Sequence, residues 1–142
     1  MAERFFIVYG TPVAKGRPRF ARRGAYVQSY TPDKTVQYEN LVKLSYAEKH
    51  GGKEPLRGPI ELVMTAYFPI PKSVSKKKHA ELSLEQEWHI KKPDTDNCIK
   101  IATDALQHMA FENDSQICSI KARKYYSDTP RTEILLRELK GD

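Results

Sequence analysis

The chain has 142 residues, 39% of them hydrophobic and 30% charged, and a formal net charge of +6. That length supports one domain with a real core, and the composition is that of a soluble globular chain. No apolar run approaches the eighteen or so residues of a membrane span, so a cytoplasmic setting with no membrane partner is expected.

Residues 4–9, RFFIVY, are β-branched and aromatic and predict a first strand. One arginine and a short apolar run without a small-residue cleavage site do not make a signal peptide. Gly10, Pro12, Gly16, Pro18, Gly24 and Pro32 break residues 10–32 into loop or hairpin, with extended pieces around Phe20 and Tyr26–Val27 and a turn at Arg23-Gly24. Thr31-Pro32-Asp33 opens a helix over 33–49, with Val36, Leu41, Leu44 and Ala47 near one face and Gly51-Gly52 as its stop.

Residues 59–69 alternate Ile60, Leu62, Met64, Ala66 and Phe68, the pattern of a strand with one buried face. Pro69 and Pro71 end it. The stretch 72–84 reads as a short surface helix whose Lys72, Lys76, Lys77 and Lys78 form a solvated face. Residues 95–109 predict a longer helix, with Ile99, Ala102, Leu106 and Met109 on one side and Asp96, Lys100 and Asp104 on another. Strands over 116–126 and 132–139 follow, joined by a turn at 127–130. The order strand, hairpin, helix, strand, two helices, two strands predicts one α/β domain of the α+β kind over residues 1–142, a mixed sheet covered by helices. No repeat interrupts it.

The charge is unevenly placed. Residues 1–30 hold Arg4, Lys15, Arg17, Arg19, Arg22 and Arg23 against Glu3, which accounts for five of the six net positive charges. Residues 94–114 hold Asp94, Asp96, Asp104, Glu112 and Asp114 against Lys100 alone. A basic arm beside an acidic island points to a polyanionic partner and a cation, although solvated faces also cluster charge by chance. Phe20 and Tyr26 are set among the arginines, and arginines grip phosphates while aromatics stack on bases. Cys98 and Cys118 form no CxxC pair and are expected to be reduced and buried.

The island begins in KKPDTDNCIK, residues 91–100. An extended chain through Asp94 would point Asp94 and Asp96 the same way; a helix starting there would use one of them as a cap. Asp114 opens the strand after the helix, and a helix followed by a strand can return the chain to where the helix began. Three converging carboxylates would suit Mg²⁺, a hard ion that also takes water and phosphate oxygens. Lys100 is either an exposed i, i+4 partner of Asp96 and Asp104 or a charge facing a phosphate. Asp104 is expected to hold Lys100, and Asn97 to bond a carboxylate or cap the helix.

The run KPDTDNCIKIATDAL followed by NDSQI, residues 92–117, resembles the RusA-type Holliday junction resolvases. Their pattern is D-x-D-N, a lysine four residues after the second acid, a D-A-L one turn on, then an acid ahead of a strand that starts near a glutamine. A basic loop ahead of the first helix extends the likeness, although the segment from Gly51 to Trp88 is long for that family. The resemblance implies a RusA-like fold and an endodeoxyribonuclease that acts as a homodimer on four-way DNA junctions in recombination and repair. It implies Mg²⁺ as cofactor, with Mn²⁺ able to substitute. It makes Asp94, Asp96 and Asp114 the metal-binding catalytic acids and Lys100 the catalytic lysine. From the residues themselves, and not from the resemblance, Lys15, Arg17, Arg19, Phe20, Arg22, Arg23, Lys91 and Lys92 are the expected DNA contacts, with Asn97 and Asp104 in support. Two other classes stay open: a junction-binding module without catalysis, and a Mg²⁺-dependent phosphatase or nucleotide hydrolase, for which the basic arm is more than a small substrate needs.

Overall fold

The structure is a computed structural model, and it describes residues 2–16, 19–30 and 32–140. Strand β1 spans Glu3–Tyr9, and the hairpin strands β2 and β3 span Arg19–Arg23 and Tyr26–Tyr30. Helix α1 covers Asp33–His50, β4 Ile60–Pro69, α2 Lys76–Leu82 and α3 Thr95–Leu106. A short 3₁₀ turn, Asp114–Gln116, leads into β5 (Ile117–Ser127), and β6 (Arg131–Glu138) ends the fold. The α+β class and the element order match the expectation. No helix among the described residues is long and apolar enough to cross a membrane.

The main sheet has the order β1-β6-β4-β5. β6 pairs antiparallel with both β1 and β4, and β4 pairs parallel with β5. A parallel pair needs a long crossover, here supplied by α2, α3 and their loops. The tight turn after β5 therefore joins two strands that β4 keeps apart. The hairpin β2–β3 forms a separate two-stranded sheet. Its turn falls at Gly24, which adopts φ +62°, a conformation glycine takes without strain.

Alternation along β4 places Ile60, Leu62, Met64 and Ala66 on the inner face, joined by Phe6 and Val8 from β1 and Ile134 and Leu136 from β6. Val42 and Tyr46 of α1 and Ile101, Ala102, Ala105 and Leu106 of α3 pack onto that face. Full burial of a side chain such as Ile101 or Leu106 is worth about 1.5–3 kcal/mol. Phe6, Val8, Ile134 and Leu136 are 0% exposed and belong to this core, not to the outer surface.

The packed face of α1 also differs from expectation. Val36, Leu41 and Leu44 are exposed, and the helix buries Thr35, Tyr38, Val42, Tyr46 and His50 instead. Partners explain the inversion. The Tyr38 hydroxyl bonds Thr132 Oγ1 at 2.9 Å, Arg4 donates to the Tyr46 hydroxyl at 2.6 Å, and His50 Nε2 meets the Phe5 carbonyl at 2.9 Å. Aromatic bodies with satisfied polar tips outbid bare aliphatics for this face. α3 stops at Leu106, before Met109, because Gln107 turns extended (φ −61°, ψ 134°). Cys98 is buried as expected. Cys118 is exposed, because it falls where the β4–β5 register shifts at the start of an edge strand.

Candidate active site

Asp94 is the N-cap of α3, extended at φ −68° and ψ 148°, and its side chain makes no capping bond. Asp96 stands inside the first helical turn, so the two acids do not follow strand alternation. The loop that delivers them is held by Lys124 of β5, whose ammonium donates to the carbonyls of Lys91 (2.7 Å) and Pro93. His89 stacks on Phe68, ring centroids 3.9 Å apart, and donates its amide to the Lys124 carbonyl at 3.0 Å, which fixes the same loop further upstream. Beneath the acids lies the Cys98 thiol. Burial, only partly offset by Lys124 and reinforced by Asp96 and Asp94, pushes its pKa up to about 11, so it stays a protonated apolar group.

Asp114 arrives from the other side. The chain leaves α3 at Gln107, makes a left-handed residue at His108 (φ 70°) and runs back along the helix end, where the Leu56 amide bonds the Ala110 carbonyl at 2.7 Å. The following turn is closed by Asn113, whose side chain accepts from the Ser115 amide at 2.9 Å. Gln107 Oε1 accepts from the Asp114 amide at 3.3 Å. The result is an open hollow of about 210 Å³ lined by Asp96, Ile99, Lys100, Thr103, Asp114, Ile117 and Ile120.

The structure thus brings Asp96, Lys100 and Asp114 to one hollow and leaves Asp94 outside its lining. Among the described residues no group of three His, Cys, Asp or Glu side chains is close enough to hold a metal ion by itself. The donor chemistry still fits Mg²⁺: two hard carboxylates face an open hollow, and this ion is commonly held by one or two carboxylates with waters and substrate phosphate completing its shell.

Lys100 is paired at 3.4 Å with Asp104 Oδ1, while Asp104 Oδ2 lies 3.2 Å from Lys15 Nζ. Lys15 also bonds Glu39 at 2.6 Å. Burial lowers the Lys15 pKa, but the bonds to Glu39 and Asp104 outweigh it and leave the ammonium more firmly protonated than usual. Asp104 is thus paired with both lysines, Lys100 and Lys15. Lys15, expected to face DNA with the arginines, instead points at these carboxylates. The Asn97 carbonyl accepts the Lys15 amide at 3.0 Å, and Thr35 Oγ1 accepts the Gly16 amide at 3.1 Å. A Cβ at Gly16 would sit 2.8 Å from that hydroxyl, so glycine is what allows the close approach. The root of the hairpin is therefore fastened to α3 beside the hollow.

Beyond that root the described side chains of the hairpin are largely open to solvent. Phe20 is 72% and Tyr26 66% exposed, and Arg22 and Arg23 are exposed with them. Arg17 lies outside the described residues, and of Arg19 only the backbone in β2 is described. Lys91 and Lys92 are exposed on the loop ahead of Asp94. Sequence reasoning missed Thr103 of the hollow, Lys124 as the clamp on the Asp94 loop, and the two glutamines around Asp114. Lys124 and the glutamines act largely on main-chain groups, which no side-chain pattern displays.

Two comparisons bear on this arrangement. The family model described as endodeoxyribonuclease RusA matches residues 9–137, a span that includes the arm, α3 and the Asp114 turn. A protein of Bacillus subtilis strain 168 described as uncharacterized protein YqaN is 40% identical over 138 residues, covering 94% of this chain and 95% of the relative.

Proposed function

The chain belongs to the RusA endodeoxyribonuclease family, and from that membership we propose that it is a Mg²⁺-dependent endonuclease that resolves four-way DNA junctions in recombination and repair. The observation that carries the reading is the hollow shared by Asp96, Lys100 and Asp114, with the basic arm rooted at its side. Asp96 and Asp114, with Asp94 two residues from Asp96, are the residues that would hold the ion. What such an ion supplies is polarisation of a phosphate and a lower pKa for the attacking water. Lys100 has a different task. Its ammonium faces the same hollow and offsets the charge that gathers on the phosphorane-like transition state. Asp104 steadies Lys100 through a single oxygen, since its other oxygen is taken by Lys15.

Binding rests on phosphate contacts from Arg22, Arg23, Lys91 and Lys92, joined by Arg17 and Arg19, with Phe20 and Tyr26 available to stack on bases. Contacts of that kind read shape more than sequence, as a junction-selective enzyme requires. Resolution into two intact duplexes needs two cuts related by symmetry, so a twofold homodimer is part of the proposal.

The direct test is cleavage of an end-labelled four-way junction with and without Mg²⁺. Symmetric, Mg²⁺-dependent incisions on the junction and none on linear duplex are expected. Binding without cutting would make the chain a silent junction-binding module. Hydrolysis of small phosphate esters in place of DNA would make it a phosphatase. A supercoiled cruciform plasmid tests the dimer: paired cuts give linear product at once, and accumulation of nicked circles refutes it.

A further inference from the structure

We propose that Gln116 is a positioning residue for the Asp114 carboxylate, a reading that rests on Asp114 being a metal-binding acid. A primary amide offers two N–H donors and an oxygen with two lone pairs. Gln116 uses all four. Its Oε1 accepts from the amides of Glu112 (2.9 Å) and Asn113 (3.0 Å), the two residues directly before Asp114. Its Nε2 donates to the carbonyls of Leu56 and Gly58, each at 3.0 Å, in the segment that leads into β4. One side chain thus ties the acid-bearing turn to the entry of the central strand, 58 and 60 residues away in sequence.

The turn needs such a tie. Asp114, Ser115, Glu112 and Asn113 are all exposed, so no apolar packing holds them. The local bonds, Asn113 Oδ1 to the Ser115 amide and the Gln116 amide to the Asn113 carbonyl, shape the turn without fixing it to the body. Gln107 adds one longer bond of 3.3 Å to the Asp114 amide. Among the described residues, the Gln116 side chain is what bonds the turn itself to the segment leading into β4, beside the Leu56–Ala110 backbone bond that holds the chain just ahead of the turn. Because Gln116 also precedes β5, whose Ile117 and Ile120 line the hollow, it sets the turn against the wall that the carboxylate shares with Asp96 and Lys100.

Groups hydrogen-bonded to a metal ligand typically govern metal affinity by 10–100-fold, and Gln116 acts one step further out, on the amides of the two residues before Asp114. The test measures Mn²⁺ binding without DNA, by loss of the free-ion electron paramagnetic resonance signal, on the full chain as wild type, Gln116→Glu, Gln116→Met and Asp114→Asn. Gln116→Glu keeps the acceptors and sets a carboxylate oxygen against two carbonyls, so the clamp opens. Its added negative charge would by itself tighten cation binding, so weaker binding isolates the positional effect. Gln116→Met removes all four bonds without adding charge. The expected result is Mn²⁺ affinity lowered about 10-fold or more in both Gln116 variants. The Mg²⁺ concentration for half-maximal junction cleavage should rise with it, with junction affinity in Ca²⁺ unchanged. Circular dichroism sets a temperature at which each variant is folded, and the titrations are run there. Wild-type Mn²⁺ affinity in both folded variants overturns the proposal, even if they melt earlier. Wild type and Asp114→Asn binding Mn²⁺ equally would instead overturn the metal-site reading beneath it, and the two failures are distinguishable.

Discussion

Replacing Lys100 by alanine should leave the fold intact and disable the proposed junction cleavage. On the stability side the change removes one ion pair, 3.4 Å from Asp104, on a side chain 57% exposed. An exposed i, i+4 pair contributes about 0.3–0.5 kcal/mol, and alanine's higher helix propensity offsets part of that. Asp104 is not orphaned, because Lys15 remains 3.2 Å from its other oxygen. The melting temperature should therefore move by no more than about 2 °C. On the catalytic side, one lost transition-state contact is worth roughly 10²-fold in rate or more, about 2.7 kcal/mol. Single-turnover cleavage of an end-labelled junction in Mg²⁺ reads the rate, and a gel-shift titration in Ca²⁺ reads affinity. The expected result is a slow enzyme that binds like wild type. A variant that cuts within about threefold of wild type, or whose defect disappears at saturating protein, would refute the reasoning and make Lys100 an ordinary surface or phosphate contact.

Removing Arg22 and Arg23 together should weaken junction binding and flatten its dependence on salt by about one unit of slope per lost phosphate contact, measured as log K against log salt; an unchanged slope would turn the arm away from DNA. Lys124→Met deletes two charge-assisted bonds to the Lys91 and Pro93 carbonyls, and after a discount for its partial exposure should cost about 1–2 kcal/mol, several degrees of melting temperature, with a larger loss of cleavage than of junction affinity because the Asp94 loop is released. His50 and His89 should make the fold acid-sensitive. Burial first, aided by nearby cations (Lys53, Arg4 and Lys49 at His50; Lys124 and Lys91 at His89) and only partly opposed at His50 by its bond to the Phe5 carbonyl, holds both imidazoles below their ordinary pKa, and among the described residues His89 Nδ1 is buried without a partner. In the unfolded chain these groups protonate near pH 6.5 while the folded ones stay neutral, so their contribution is complete above that value and is lost as pH falls through the folded pKa. Melting curves from pH 7.5 to 5 should show that slope, shallower in His89→Phe; an equal slope would rule out His89 as a source.

How much of this was legible in the sequence depended on which chemical group carried the information. Strand alternation around Leu62 and Met64 was readable because side-chain period and burial coincide there. Periodicity likewise put Asp96, Lys100 and Asp104 on one helical face, and the helix-then-strand return brought Asp114 back to them. Periodicity failed on α1, where counting aliphatics selected Val36, Leu41 and Leu44 while the core took Tyr38, Tyr46 and His50. An amphipathic aromatic is buried only if its polar tip finds a partner, and the partners, Thr132, Arg4 and the Phe5 carbonyl, are distant in sequence. The same reason hid the supports of the site. Lys124 and Gln116 act on carbonyls and amides that every residue possesses, and which of them lack a partner is decided only once β4 and β5 are side by side. Lys15 shows the converse: its type and neighbours marked it as a phosphate contact, yet Glu39 and Asp104 capture it. A charged residue's role follows from the nearest opposite charge in space. The acids of α3 were readable as a set because a single helix fixes their spacing, whereas the arm became interpretable only when its root was found bonded to Asn97 at the site.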